Sequence, residues 1–387
     1  MLRVGQKEVE AAAKVLLSGK LFRYRRDGQC GRFERRYAKY LGVKRACMTS
    51  SGTTALTAAI AGLGIGPGDE VAVPACTYMA TAVAVLAAGA IPVIVDVDES
   101  ITMDPEALAA AAGPRTRAVV CVHMWGLPCH MRRIMRVARK HKLLVIEDAC
   151  QGVGGGYEGR KLGSIGHAGA FSFNFYKNMT CGEGGAFVTD DLAAADRGWC
   201  MIDCCNFYWN GRKDGVVPFV SNGSRASEIE GAILNVQLGR IDGLIRTLRR
   251  QKKRILRETA RTGLVPIRHN SLDHECGTHV MYMFPTGGQA DEFARLTGGV
   301  VAGKTGRHVY TEWDPIFAGQ GAHHPALNPF RLPANRRCRR KYTKDMCARS
   351  LDLLSRTVML GTDPDHKRAD VTARIRAINA AAEAVLG

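Results

Sequence analysis

Short apolar runs alternate with longer Ala-rich stretches through the first half of the chain. Residues 70–74 (EVAVP), 91–97 (IPVIVDV), 118–123 (AVVCVH) and 143–147 (LLVIE) read as buried strands. The segments between and around them, 53–63, 81–88, 105–112 and 131–141, read as helices. Strand alternating with helix predicts an α/β domain with a mainly parallel sheet covered on both faces. Helices over 7–17 and near 33–41 precede it. Two further strands, 169–174 and 185–189, follow without a long helix between them, and a long helix, kinked or broken, is expected over 226–254. The pattern beyond is a weaker α+β one. The expected organisation is an N-terminal helical segment (1–45), a large domain (46–245) and a smaller α+β C-terminal domain (246–387) packed on it, since no low-complexity linker separates them.

Composition narrows this picture. The 387 residues are 46% hydrophobic and 23% charged, which excludes a mainly disordered chain. The apolar stretch 80–94 is interrupted by Gly and Pro, so no membrane span is expected. Lys7, Glu8 and Glu10 stand where a signal peptide needs apolar residues, and export is not expected. The net charge of +18 concentrates at 132–142, 246–254 and 336–344. No nucleic-acid-binding motif accompanies these clusters, so they read as solvated helix faces whose field favours anionic ligands. Thirteen cysteines without a CxxC pair read as reduced thiols of a cytoplasmic protein. Cys76, Cys121, Cys150 and Cys181 lie in apolar or Gly-rich surroundings. Cys200, Cys204 and Cys205 are the nearest approach to a metal cluster, but no His stands at ligand spacing and no metal is expected.

Three segments carry chemistry. In FSFNFYKNMTCGEGGAFVT, Lys177 occupies a loop between two strands, with Phe173, Phe175 and Tyr176 nearby to desolvate it and Ser172 able to offer a hydroxyl to a phosphate. In LLVIEDACQG, a strand ends in Glu147 and Asp148, whose side chains must diverge; one can cap a helix while the other enters a site at the carboxyl edge of the sheet. In TSSGTTAL, small hydroxyl residues and Gly52 open a helix whose N-terminus suits a phosphate. A phosphate cradle, a carboxylate for a ring nitrogen and an imine-forming lysine together describe a site for pyridoxal 5′-phosphate.

The order and spacing of SSGTTAL, GIGPGDEVAVPACTYMATA, GAIPVIVDVD, VIEDACQ, the Lys177 segment and SNGSRASEIEGAILNVQLGRID closely resemble the DegT/DnrJ/EryC1/StrS family of sugar and cyclitol aminotransferases, densely from about Gly5 to Asp242. The resemblance implies the fold type I architecture of aspartate aminotransferase and a homodimer with shared active sites. It implies that Lys177 forms the cofactor imine and shuttles protons, that Asp148 partners the pyridine nitrogen, and that Gln151 lies near the 3-oxygen. Tyr78 would stack on the ring; Gly52, Thr53 and Ser172 would bind phosphate; Asn222 would reach the phosphate from the partner subunit. Relatives with His in place of the lysine perform deoxygenation, so Lys177 favours transamination from L-glutamate or L-glutamine.

The acceptor is less sharply drawn. The stretches 123–129, 204–212 and 309–330 are rich in Trp, Tyr, His and Asn and suit hydroxyl-rich ligands, with His323 and His324 as candidate substrate contacts. HMWGL resembles the cyclitol and aminohydroxybenzoate branches, whereas the net charge favours a nucleotide-linked sugar. Dehydration, aromatising amination and a non-catalytic cofactor-binding regulator stay open beside transamination.

Overall fold

The computed structural model describes residues 4–25, 27–212 and 214–387; residues 1–3 and 26 of the expected N-terminal segment and residue 213 of the expected large domain lie outside them. A helical entry, α1 (Gln6–Ser18) and α2 (Gln29–Leu41), precedes the first strand, β1 (Arg45–Thr49). Then come α3 (Gly52–Gly62), β2 (Glu70–Pro74), α4 (Ala80–Ala87), β3 (Ile91–Val95), α5 (Pro105–Ala111), β4 (Thr116–Val122), α6 (Met131–His141) and β5 (Leu144–Asp148). A short hairpin, β6 (Gly156–Tyr157) and β7 (Arg160–Lys161), leads to β8 (Ala168–Ser172) and β9 (Gly185–Thr189).

Seven of these strands form one sheet in the order β1-β9-β8-β5-β4-β2-β3. β2, β3, β4, β5 and β8 pair in parallel, and β9 runs antiparallel to both β8 and β1. The expected parallel sheet is therefore present, with β1 as a strand the apolar pattern did not single out. Side-chain alternation explains why both faces are covered. Ala118, Val120 and Val122 of β4 enter one apolar cluster, and Val119 and Cys121 enter the other.

After β9, α7 (Leu192–Ile202) and the short α8 (Phe207–Asn210) lead to α9 (Glu228–Leu238) and α10 (Ile241–Glu258), so the long helix expected over 226–254 is broken at Gly239–Arg240. Glu228 of α9 accepts from the amides of Gln29 and Cys30 and so caps α2, whose own N-cap, Gly28, has no side chain to do it. The C-terminal part builds a four-stranded antiparallel sheet, β10 (Val265–Pro266), β11 (His279–Met283), β12 (Val300–Val301) and β13 (Thr357–Gly361), in the order β10-β11-β13-β12. Its helices are α11 (Gly287–Thr297), α12 (Asp314–Phe317), α13 (Ala348–Ser355) and α14 (Arg368–Leu386). Val280, Tyr282, Phe293, Val358 and Ile375 form a third core between this sheet and its helices. Among the described residues no helix is long and apolar enough to cross a membrane.

Candidate active site

A cavity of about 590 Å³ opens at the carboxyl edge of the seven-stranded sheet. The segments that follow β1, β2, β4, β5 and β8 all reach it, because parallel strands bring their carboxyl ends to one edge. It is lined by Gly52, Thr53, Tyr78, Asp148, Gln151, Ser172 and Lys177, seven residues singled out in the sequence.

Asp148 ends β5 and is buried. Its Oδ2 accepts from Thr81 Oγ1 at 2.8 Å and its Oδ1 from the Cys150 amide at 3.1 Å. Glu147, one residue earlier, turns to the opposite face, where it accepts from the amides of Gly163 (2.9 Å), Ile165 and Gly166 and contacts His123 Nε2 at 2.9 Å. The two acids diverge as a strand requires. Neither caps a helix, since a turn and the β6–β7 hairpin follow β5.

Lys177 stands in the β8–β9 loop. Its amide donates to the Asn174 carbonyl at 3.0 Å, Asn174 Nδ2 donates to Glu183 at 2.6 Å, and Asn178 Nδ2 donates to the Val153 carbonyl at 3.0 Å. The loop closes through Gly182 and Gly184, at φ 92° and 156°, which a side chain would strain. Only part of the expected aromatic surround exists within one chain. Phe173 is buried against Phe33 and Tyr37, but Phe175 and Tyr176 are 56% and 75% exposed and do not bury the lysine.

Ser51 caps α3, its Oγ accepting from the Thr54 amide at 3.2 Å, and Gly52 begins the helix. A Cβ on Gly52 would lie 2.7 Å from Ser172 Cβ and 2.9 Å from Cys150 Sγ, so only glycine lets this N-terminus approach β8 so closely. Gln151 Oε1 accepts from the Trp125 amide at 3.0 Å. Trp125 holds φ 51°, unusual for a bulky residue, and Thr278 Oγ1 donates to its carbonyl at 2.5 Å. Tyr78 is half exposed and faces the cavity, not a core.

The structure adds residues the sequence reading passed over. Thr77, in the turn that leads into α4, and Thr81, in its first turn, share a 2.7 Å hydroxyl contact beneath Asp148; their spacing in ACTYMAT was the available signal. Thr278, His279, Arg307 and His308 also line the cavity, as does Trp125 from the 123–129 stretch singled out in the sequence. His308 directly precedes the stretch 309–330 that was singled out. Burial, reinforced by Arg307, Lys177 and His279, pushes its imidazole down to about 4; burial, with Lys252 and Arg374, does the same to His279.

Other residues singled out in the sequence lie away from this cavity. His323 and His324 are exposed and outside the cavity, and His324 Nδ1 accepts from the Ala326 amide to cap a short turn. Asn222, expected to act from the partner subunit, is exposed and does not line the cavity of its own chain. In the 123–129 stretch only Trp125 reaches the cavity. His123 is buried; burial opposes its charge, but Cys129 and Glu147 hold it protonated, up to about 10. Of the cysteine cluster, Cys204 and Cys205 converge with Asp203, whereas Cys200 does not join them. The Asp203 carboxylate already accepts from Tyr24 Oη at 2.5 Å and Arg225 at 3.0 Å.

A lysine after β8, a carboxylate ending β5 and a helix N-terminus converging on one sheet edge define the class, that of the fold type I pyridoxal-phosphate-dependent transferases. The chain belongs to the DegT/DnrJ/EryC1/StrS aminotransferase family, whose model matches residues 3–379. It is similar to the GDP-perosamine synthase of Caulobacter vibrioides (46% identity over 216 residues, 54% of this chain and 56% of that protein). It is also similar to the L-glutamine:2-deoxy-scyllo-inosose aminotransferase of Streptomyces kanamyceticus (36% over 239 residues, 58% of this chain and 54% of that protein). The matches thus span a little over half the length of these curated relatives. Among solved structures, an aminotransferase from Psychrobacter cryohalolentis superimposes with a TM-score of 0.79 at 27% identity, covering 100% of this chain and 99% of that one. A 3-amino-5-hydroxybenzoic acid synthase does so with a TM-score of 0.79 at 26% identity, covering 98% and 97%.

Proposed function

We propose that the protein is a pyridoxal-phosphate-dependent aminotransferase that moves an amino group from L-glutamate or L-glutamine to a keto-sugar or keto-cyclitol. The observation that carries this reading is the meeting of Lys177, Asp148 and the α3 N-terminus on one cavity. The residues fit the cofactor. Asp148 is a buried carboxylate held by two donors, and Gly52 leaves the close backbone approach that a phosphate cradle needs. When bound, the cofactor supplies an electron sink for the carbon that loses its proton.

In this reading the Lys177 amine takes and returns that proton. Asp148, its orientation set by Thr81 and the Cys150 amide, would hold the proton of the ring nitrogen. Gln151 would meet the 3-oxygen, Tyr78 would stack on the ring, and Gly52, Thr53 and Ser172 would hold the phosphate. Asn222, exposed and away from its own cavity, acts in the partner's site within a homodimer. An exposed aromatic group supports a partner surface: Phe22 and Trp209 pack edge to face at 4.8 Å, with Tyr24 stacked on Trp209. All thirteen cysteines are free, which suits a reducing cytoplasm. The named relatives include enzymes of both nucleotide-sugar and cyclitol type, and the acceptor class is drawn from them.

The test is an absorbance titration of cofactor-loaded protein. L-Glutamate or L-glutamine should abolish the visible cofactor band and a keto-sugar or keto-cyclitol should restore it, with release of 2-oxoglutarate or 2-oxoglutaramate. Aromatising amination is the second reading, favoured by the whole-chain likeness to 3-amino-5-hydroxybenzoic acid synthase. A band that neither donor changes would overturn transamination.

A further inference from the structure

We propose that His308 is an acceptor-binding residue, its Nε2 hydrogen-bonding a hydroxyl or the keto oxygen of the sugar or cyclitol ring. The proposal rests on the aminotransferase reading.

His308 is brought to the cavity from the C-terminal part of the chain by backbone pairing with the segment after β2. The Thr77 amide donates to the His308 carbonyl at 2.9 Å, the Tyr310 amide donates to the Ala75 carbonyl at 3.0 Å, and Cys76 bridges to Val309. The pairing sets the imidazole edge-on to two other cavity residues, with ring centroids 6.1 Å from Tyr78 and 5.8 Å from Trp125. Among the described residues its Nδ1 is buried without a hydrogen-bond partner, and the side chain lines the cavity, so Nε2 is the nitrogen left to meet a ligand there. Stranded N–H donors are rarer than stranded acceptors, so the neutral ring carries its proton on Nε2 and presents a donor.

The chemistry of that donor selects its ligand. Burial and the nearby Arg307 and Lys177 cations keep the ring uncharged at neutral pH. An uncharged donor suits a hydroxyl or carbonyl oxygen; the carboxylates of glutamate call for a cation. The cofactor contacts proposed above come from the segments after β1, β2, β5 and β8, whereas His308 reaches the cavity from the C-terminal part of the chain, edge-on to Tyr78.

Two variants separate hydrogen bonding from packing. His308→Phe keeps a ring between Tyr78 and Trp125 and removes the donor; His308→Gln restores a neutral donor without the ring. The half-reactions are followed separately on cofactor-loaded protein, using L-glutamate and L-glutamine as donors and scyllo-inosose and a dTDP-linked keto-hexose as acceptor probes. Losing one neutral hydrogen bond should raise the acceptor KM about tenfold in His308→Phe. The donor half-reaction should change less than about twofold, and His308→Gln should recover most of the loss. An unchanged acceptor KM in His308→Phe, or an equal loss in the donor half-reaction, overturns the assignment while the aminotransferase reading stands. No donor half-reaction in the wild type, or no acceptor probe restoring the band, overturns both.

Discussion

Thr81 Oγ1 donates to Asp148 Oδ2 at 2.8 Å, tying the first turn of α4 to the end of β5. With the Cys150 amide on the other oxygen, the buried carboxylate has one available orientation. Thr81→Val removes a hydrogen bond to a charged group while keeping the side chain's shape. The expected result is a loss of about 1.5–3 kcal/mol in unfolding free energy. Urea unfolding beside steady-state kinetics would show it, with kcat falling and donor KM nearly unchanged. Wild-type stability in the variant would mean that the contact does not hold Asp148.

Lys177→Ala should still take up the cofactor yet turn over at least about 10²–10⁴-fold more slowly, the usual contribution of a positioned acid–base group. Stopped-flow absorbance after adding donor is the measurement. A variant that cycles at near wild-type rate would remove Lys177 from the chemistry.

Gly52→Ala places a methyl 2.7 Å from Ser172 Cβ and 2.9 Å from Cys150 Sγ. Overpacking of this kind costs about 1–3 kcal/mol. The shift of the α3 N-terminus should also weaken cofactor affinity. Equilibrium dialysis with pyridoxal phosphate and thermal unfolding should both report the change.

Acid should weaken the fold partly through His308. Its proton binds near 6.5 in the unfolded chain and near about 4 in the folded one. Between those values the unfolded state holds more protons, so this contribution is complete above 6.5 and is lost as pH falls toward 4. The wild type should therefore lose more unfolding midpoint than His308→Phe between about pH 7 and about pH 4.5. Parallel loss in both proteins would place the acid sensitivity elsewhere, with His279 the next group to replace.

If Asn222 serves the partner's site, Asn222→Ala and Lys177→Ala should complement each other. Each homodimer is expected to be impaired, whereas a mixed dimer carries one site with both residues intact. Activity regained on mixing unfolded and refolded samples is the readout. No recovery from proteins that do exchange subunits would confine Asn222 to its own chain.

How far the site could be read beforehand depended on how local each residue's signal is. Asp148 and Lys177 lie beside regular strands whose apolar runs are visible in the sequence, so their place at a sheet edge followed from chain order. His308 had no such signal, because its position depends on pairing with residues 75–77, far away in the chain. His323 and His324 stood in an equally suggestive segment and ended on the surface.

The sequence by itself determined the alternation of strand and helix, the divergence of Glu147 and Asp148, and the glycine at the start of α3. Each follows from short-range geometry: the two-residue repeat of a strand, the 3.6-residue turn of a helix, and the steric reach of a Cβ. Tertiary structure decided the rest. It placed β9 antiparallel between β8 and β1, left Phe175 and Tyr176 exposed, and set Thr81 beneath Asp148. It also carried His308 across to Tyr78. These relations join residues distant in the chain, and only packing of the whole polypeptide selects which of them meet.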